Sequence, residues 1–163
     1  MRSVIAAYVE NKYGVLARVS GLFMRRGFNI DSLTVGETED PRFSRMTITL
    51  NGDEHVRDQL INQLKKLYNI KAVELLEEGK CVERELTIVK VANTPENRNE
   101  IMTAVEIYRA KIIDYSKDAM SIEVTGEPSK IKAFIEVIEP LGIIEMCRTG
   151  VVALQRGTET IIK

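Results

Sequence analysis

The residues best placed to do chemistry in this chain lie between Glu10 and Ile30, and the chemistry they suit is capture of a small anion. Asn11-Lys12-Tyr13-Gly14 stands between an apolar run, Ser3 to Val9, and an amphipathic stretch that begins Val15-Leu16. The loop therefore sits at a helix N-terminus, where the first backbone N–H groups lack partners within the helix and the dipole is positive. A glycine at position 14 lets a ligand approach the backbone, because a Cβ there would crowd it. The Asn11 amide both donates and accepts. The bland alternatives are a turn or cap for Asn11 and a left-handed turn for Asn29, which follows Gly27.

Other chemistry is poorly supplied. The chain has one histidine, His55, and two cysteines, Cys81 and Cys147, in no CxxC or Cys/His pattern. Free thiols of a cytosolic protein are expected, and a zinc site is not. His55 follows Gly52-Asp53-Glu54, where a solvated or capping role fits a helix start. No Walker loop, GxGxxG, GxSxG or HExxH is present. The acids fall mostly at turns and on outer helical faces, so no catalytic residue is assigned. A formal net charge of -1 gives no electrostatic pull toward nucleic acid or an anionic membrane. The longest apolar runs are far shorter than the ~20 residues of a membrane span. The start, Met1 to Tyr8, imitates a signal peptide but runs directly into Glu10-Asn11-Lys12, so it reads as a strand.

The elements that position the loop follow from periodicity. Ser3 to Val9 suits a central strand with both faces at least partly covered. Val15, Val19, Leu22 and Phe23 give a helical stripe that Gly27 ends with a left-handed cap. Ile30 to Val35 is a strand, and Gly36 to Phe43 a polar turn. Met46, Ile48 and Leu50 alternate with Thr47 and Thr49, which reads as a half-buried strand with a polar face. A helix carrying Val56, Leu60, Leu64 and Leu67 and a strand at 70–75 complete a βαββαβ order, the ferredoxin-like arrangement. Glu77-Glu78-Gly79-Lys80 marks a linker.

The second half repeats the pattern. A strand around Leu86 to Val91 leads to a helix expected to start with Thr94 as cap and Pro95 at its first position. Strands at 111–115 and 120–125, a helix from Pro128 and a last strand interrupted near Gly150 follow. Gly157 to Lys163 is expected to fray. The fold class is α+β, two tandem ferredoxin-like βαββαβ domains: residues 1–76, a linker 77–82, and residues 83–163. An RNA-recognition reading of the same topology lacks the paired aromatics and basic face it needs. The halves differ at the strand-to-helix junction. Only the first has Asn-x-x-Gly; the second has Asn93-Thr94-Pro95-Glu96, with a missing N–H and an added carboxylate.

Asn11-x-x-Gly14-x-Leu16 followed by Gly27-Phe28-Asn29-Ile30, on a βαββαβ unit, resembles an ACT domain, an amino-acid-sensing module. Further segments extend the likeness: Ile30-Asp31-Ser32-Leu33-Thr34-Val35, Ser44-Arg45-Met46-Thr47-Ile48, Ile107-Tyr108-Arg109-Ala110-Lys111 and Arg148-Thr149-Gly150-Val151. Over almost its full length the chain is similar to the small regulatory subunits of acetolactate synthase (acetohydroxyacid synthase). That resemblance implies a non-catalytic subunit that carries no cofactor itself. It implies a separate large catalytic subunit holding thiamine diphosphate, FAD and magnesium, which condenses pyruvate with pyruvate or 2-oxobutyrate toward valine, leucine and isoleucine. It also implies activation of that subunit, feedback inhibition by valine, a homodimer through the ACT domains and a cytoplasmic location. Carried onto this chain, the effector pocket comprises Asn11 and the backbone amides of Gly14, Val15 and Leu16, closed by Asn29 and Ile30 of a second copy. The alternatives are a free-standing amino-acid-responsive ACT regulator not tied to this enzyme, for which no helix-turn-helix is visible, and a dimerisation module with a vestigial site.

Overall fold

The computed structural model describes residues 1–162. The first sheet contains β1 (Arg2–Glu10), β2 (Ile30–Glu37), β3 (Phe43–Asn51) and β4 (Ile70–Leu76), in the order β2-β3-β1-β4 with antiparallel pairs throughout. Helices α1 (Val15–Arg26) and α2 (Glu54–Lys65) pack on one face. α1 forms because Val15, Val19, Leu22 and Phe23 recur every three or four residues and are all buried. It stops at Gly27, whose φ of 65° is left-handed and costs a glycine little. α2 starts at Asp53, whose carboxylate accepts from the Val56 N–H at 2.9 Å. The core between helices and sheet holds Ile5, Ala7 and Val9 of β1 and Met46, Ile48 and Leu50 of β3.

The other face of this sheet is covered as well. Val4, Ala6 and Leu76 pack with Cys81, Val151, Ala153 and Ile161. Thr47 and Thr49 are therefore buried rather than forming a wet polar face. The Thr49 hydroxyl can hide because it finds a partner within the sheet: its Oγ1 lies 2.5 Å from Ser32 Oγ. β1 is apolar at successive positions because it faces two cores.

The covering residues revise two expectations. The chain divides into one compact unit of residues 1–82 with the stretch from Val151 onward, and another of residues 83–150. The stretch from Val151 onward, read from sequence as the end of the domain 83–163, groups by contact with the first unit, where its apolar side chains cover the second face of β1 and β4. The stretch expected to fray contributes Ile161, only 5% exposed, to that cluster; Lys163 lies outside the described residues.

The second unit is organised by β5 (Cys81–Ala92), β6 (Lys111–Tyr115), β7 (Ala119–Gly126) and β8 (Ile143–Gln155), in the order β6-β7-β5-β8. Helices α3 (Arg98–Ile107) and α4 (Pro128–Ile138) supply Ile101, Ala104, Ile131 and Phe134 to its core, with Val89 and Ile122 from the sheet. β8 is one strand where two pieces were expected; Gly150 lies in it with φ 81°. α3 begins at Arg98 rather than Pro95, because Thr94 and Asn97 first close a turn on each other. The order βαββαβ occurs twice, as the sequence pattern requires. Among the described residues no helix is long and apolar enough to cross a membrane.

Candidate functional site

The β1–α1 junction is built from its backbone. Gly14 is the N-cap of α1 at φ 80° and ψ −5°, a left-handed conformation that glycine adopts without strain. A Cβ built on Gly14 meets no atom within 4 Å. The glycine is therefore required by its dihedral angle, and the space above it is open. Arg18 N–H donates to the Gly14 carbonyl at 3.0 Å, the first turn bond of the helix. Val15 N–H reaches only the Lys12 carbonyl, at 3.4 Å. No side chain caps this end, and its first turn contains no acid. Val15 is buried and fixes the helix on the core, whereas Leu16 is 47% exposed beside the loop. The result is the positive end of a 12-residue helix with no side-chain cap and with open space beside Gly14.

Asn11 is held by the β2–β3 hairpin. Its Nδ2 donates to Glu37 Oε2 at 3.2 Å and to the Pro41 carbonyl at 3.1 Å, and its backbone N–H donates to the Arg42 carbonyl at 2.7 Å. Both amide donors are engaged, which leaves Oδ1 as the group to offer a ligand. An amide so arranged meets an ammonium better than a carboxylate. The sequence alone left both roles open.

Asn29 and Ile30 lie at the other end of α1. α1, which separates them from Gly14, is about 18 Å long at about 1.5 Å rise per residue. They line a shallow depression of about 560 Å³ with Phe23, Gly27, Phe28 and Leu33. Asn29 is exposed and Ile30 half-buried. One chain therefore brings Asn11, Gly14, Val15 and Leu16 together and keeps Asn29 and Ile30 apart from them.

Sequence reading missed a polar cluster on the other side of the loop. The Glu10 carboxylate accepts from Lys71 and Lys12 at 2.8 and 3.1 Å and from Asn69 at 2.8 Å. Asn69 in turn accepts from Arg18 at 2.5 Å. Hydrogen bonds from Lys71 first, then Asn69 and Lys12, hold the Glu10 carboxyl well down, at about 2. Its only advance signal was an acid, Glu10, at a strand end followed by a lysine, a common pattern. His55 is exposed, with its ring nitrogen 3.1 Å from Gln59 Nε2. Among the described residues no group of three or more His, Cys, Asp or Glu side chains could hold a metal ion.

Two ferredoxin-like units, the first with an uncapped glycine turn at its β1–α1 junction, place the molecule among ACT-containing proteins. Residues 5–72 match the model of an acetohydroxyacid synthase small subunit-like ACT domain, and residues 84–157 match that of the small subunit of acetolactate synthase. A probable acetolactate synthase small subunit of Archaeoglobus fulgidus is 52% identical over 98% of this chain and 99% of its own length. One of Mycolicibacterium smegmatis is 45% identical over 96% of this chain and 92% of its own. The crystal structure of the Thermotoga maritima small subunit superposes with a TM-score of 0.90 at 40% identity, over 98% of this chain and 99% of that one. The chain belongs to the acetolactate synthase small-subunit family.

Proposed function

We propose that this chain is the regulatory subunit that activates the thiamine-diphosphate-dependent large subunit of acetolactate synthase and makes it sensitive to valine. The observation that carries the reading is the open, uncapped N-terminus of α1 beside an asparagine whose amide donors are already used. The effector's carboxylate is received by the backbone N–H groups of Gly14, Val15 and Leu16. Its ammonium meets Asn11 Oδ1. Asn29 and Ile30 of a second copy close the pocket, Asn29 with a polar contact and Ile30 with an apolar wall for a branched side chain. The length of α1, about 18 Å, supports a second copy, since one chain gathers four of these six residues and keeps Asn29 and Ile30 at the far end of the helix.

An effector held by two copies favours whichever dimer arrangement holds it. Regulation then requires a differential affinity between two arrangements, typically worth about 1–3 kcal/mol. The chain itself performs no bond-making; thiamine diphosphate, FAD and magnesium belong to the large subunit. The test is acetolactate formation by the large subunit with and without this chain, each with and without valine. The expected result is a rate that rises with the chain and falls again with valine. A rate indifferent to the chain would overturn the reading.

A further inference from the structure

Glu10 is the last residue of β1, one position before Asn11, and only 14% of its side chain is exposed. Oε1 accepts from Lys71 Nζ at 2.8 Å. Oε2 accepts from Asn69 Nδ2 at 2.8 Å and from Lys12 Nζ at 3.1 Å. The Glu10 N–H donates back to the Asn69 carbonyl at 2.9 Å. Asn69 is 7% exposed, and its Oδ1 accepts from Arg18 Nη1 at 2.5 Å. These bonds join the end of β1, the first turns of α1 and the start of β4. The first two are the two ends of the loop at residues 11–14.

Asparagine is the residue this position demands. One end of its amide donates to a carboxylate and the other accepts from a guanidinium. Aspartate could not donate to Glu10, and an aliphatic residue could do neither. On the opposite side of the loop, Asn11 is tied to the hairpin. The loop is thus fixed from both sides.

We propose that Glu10 and Asn69 are positioning residues for the effector loop: they set the spacing between Asn11 and the amides of Val15 and Leu16 through Arg18, so that an amino acid meets a preformed site. The inference rests on the effector reading above and deepens it. A loop already in its bound geometry avoids the ordering cost of binding. The carboxylate also holds the ammonium groups of Lys71 and Lys12 at the end of β1.

The test uses the full chain and valine as the probe. Valine affinity is measured by calorimetry, and amide hydrogen exchange is followed in the absence of valine. Asn69→Ala and Arg18→Met should each weaken valine binding roughly tenfold, the scale of one lost charge-assisted hydrogen bond. The double variant should bind no worse than Asn69→Ala alone, because that substitution already removes the partner of Arg18. Exchange should quicken at residues 12–17 and stay unchanged along β3. Asn69→Gln, which keeps a donor and an acceptor, should recover part of the affinity, and Asn69→Asp none. Wild-type affinity and loop exchange in Asn69→Ala and Arg18→Met would overturn the positioning role and leave the effector site standing. Additive losses in the double variant would also overturn it. Absence of valine binding to the wild-type chain would overturn the effector reading itself, and this inference with it.

Discussion

The β1–α1 and β5–α3 junctions occupy the same place in the same topology, yet one is open and the other is filled by its own side chains. At the first, Gly14 caps α1 without a side chain. At the second, Asn97 Oδ1 accepts from both the N–H and the hydroxyl of Thr94, at 3.1 and 2.5 Å, while its Nδ2 donates to the Leu141 carbonyl at 2.6 Å. Asn93, buried, is held by Ser116 and Arg98. Glu100 lies in the first turn of α3, where α1 has no acid. Asn97 makes no side-chain bond to the N–H groups of α3's first turn, so neither helix is capped by a side chain. What differs is that the second corner is occupied by side chains bonded to one another and to neighbouring backbone, whereas the space beside Gly14 is open.

The largest expected effect comes from closing the open corner. Gly14→Asp puts a carboxylate where the ligand's would sit, and valine binding by calorimetry should fall ~100-fold or more, the value of two charge-assisted hydrogen bonds. Wild-type heat from that variant would place the pocket elsewhere. Next is Asn29→His, at the far end of α1. Valine inhibition of acetolactate formation should be relieved while activation survives; loss of both would show that sensing and activation share this residue.

Breaking the filled corner should cost stability and not sensing. Asn97→Ala removes the acceptor for Thr94 and the donor to Leu141, and should destabilise the chain by about 1–2 kcal/mol in denaturant unfolding with valine affinity unchanged. A change in valine affinity would mean that the second corner also takes ligand. The smallest effect is in acid. The Glu10 carboxyl is depressed from 4.5 to about 2, so its contribution is full above about 4.5 and fades as pH falls toward 2. Thermal midpoints of the wild-type chain and Glu10→Gln should differ near neutrality and converge over that window. A constant gap down to pH 2 would contradict the assigned bonds.

What could be read in the sequence was local. The stripe from Val15 to Phe23 and the glycines that bracket it specified α1 and its ends. The repeated βαββαβ order followed from alternation and turns. The buried state of Thr47 and Thr49 was hidden because their sheet face is covered from Val151 onward, about a hundred residues later. The start of α3 was hidden because a Thr–Asn turn competes with proline for the first helical position. The clamp on Glu10 joins residues 59 and 51 positions apart, through an asparagine that carries no motif. Of the candidate site, the loop and its glycine were legible. The orientation of Asn11, whose amide donors are taken by Glu37 and the Pro41 carbonyl, required the hairpin that carries them.

The apolar patch that unites Val4, Ala6 and Leu76 with Val151, Ala153 and Ile161 bears on the order of synthesis. The first sheet leaves the ribosome long before its cover does. While residues 83–150 are being made, β1 and β4 present that patch to water, and Val4 and Leu76 each forgo roughly 1.5–3 kcal/mol of burial. A fragment ending at 82 would remain in that condition permanently. The first unit is therefore a discontinuous object, assembled from two separate stretches of the chain. Isolating it intact would require joining residues 151–162 to residues 1–82 by a linker.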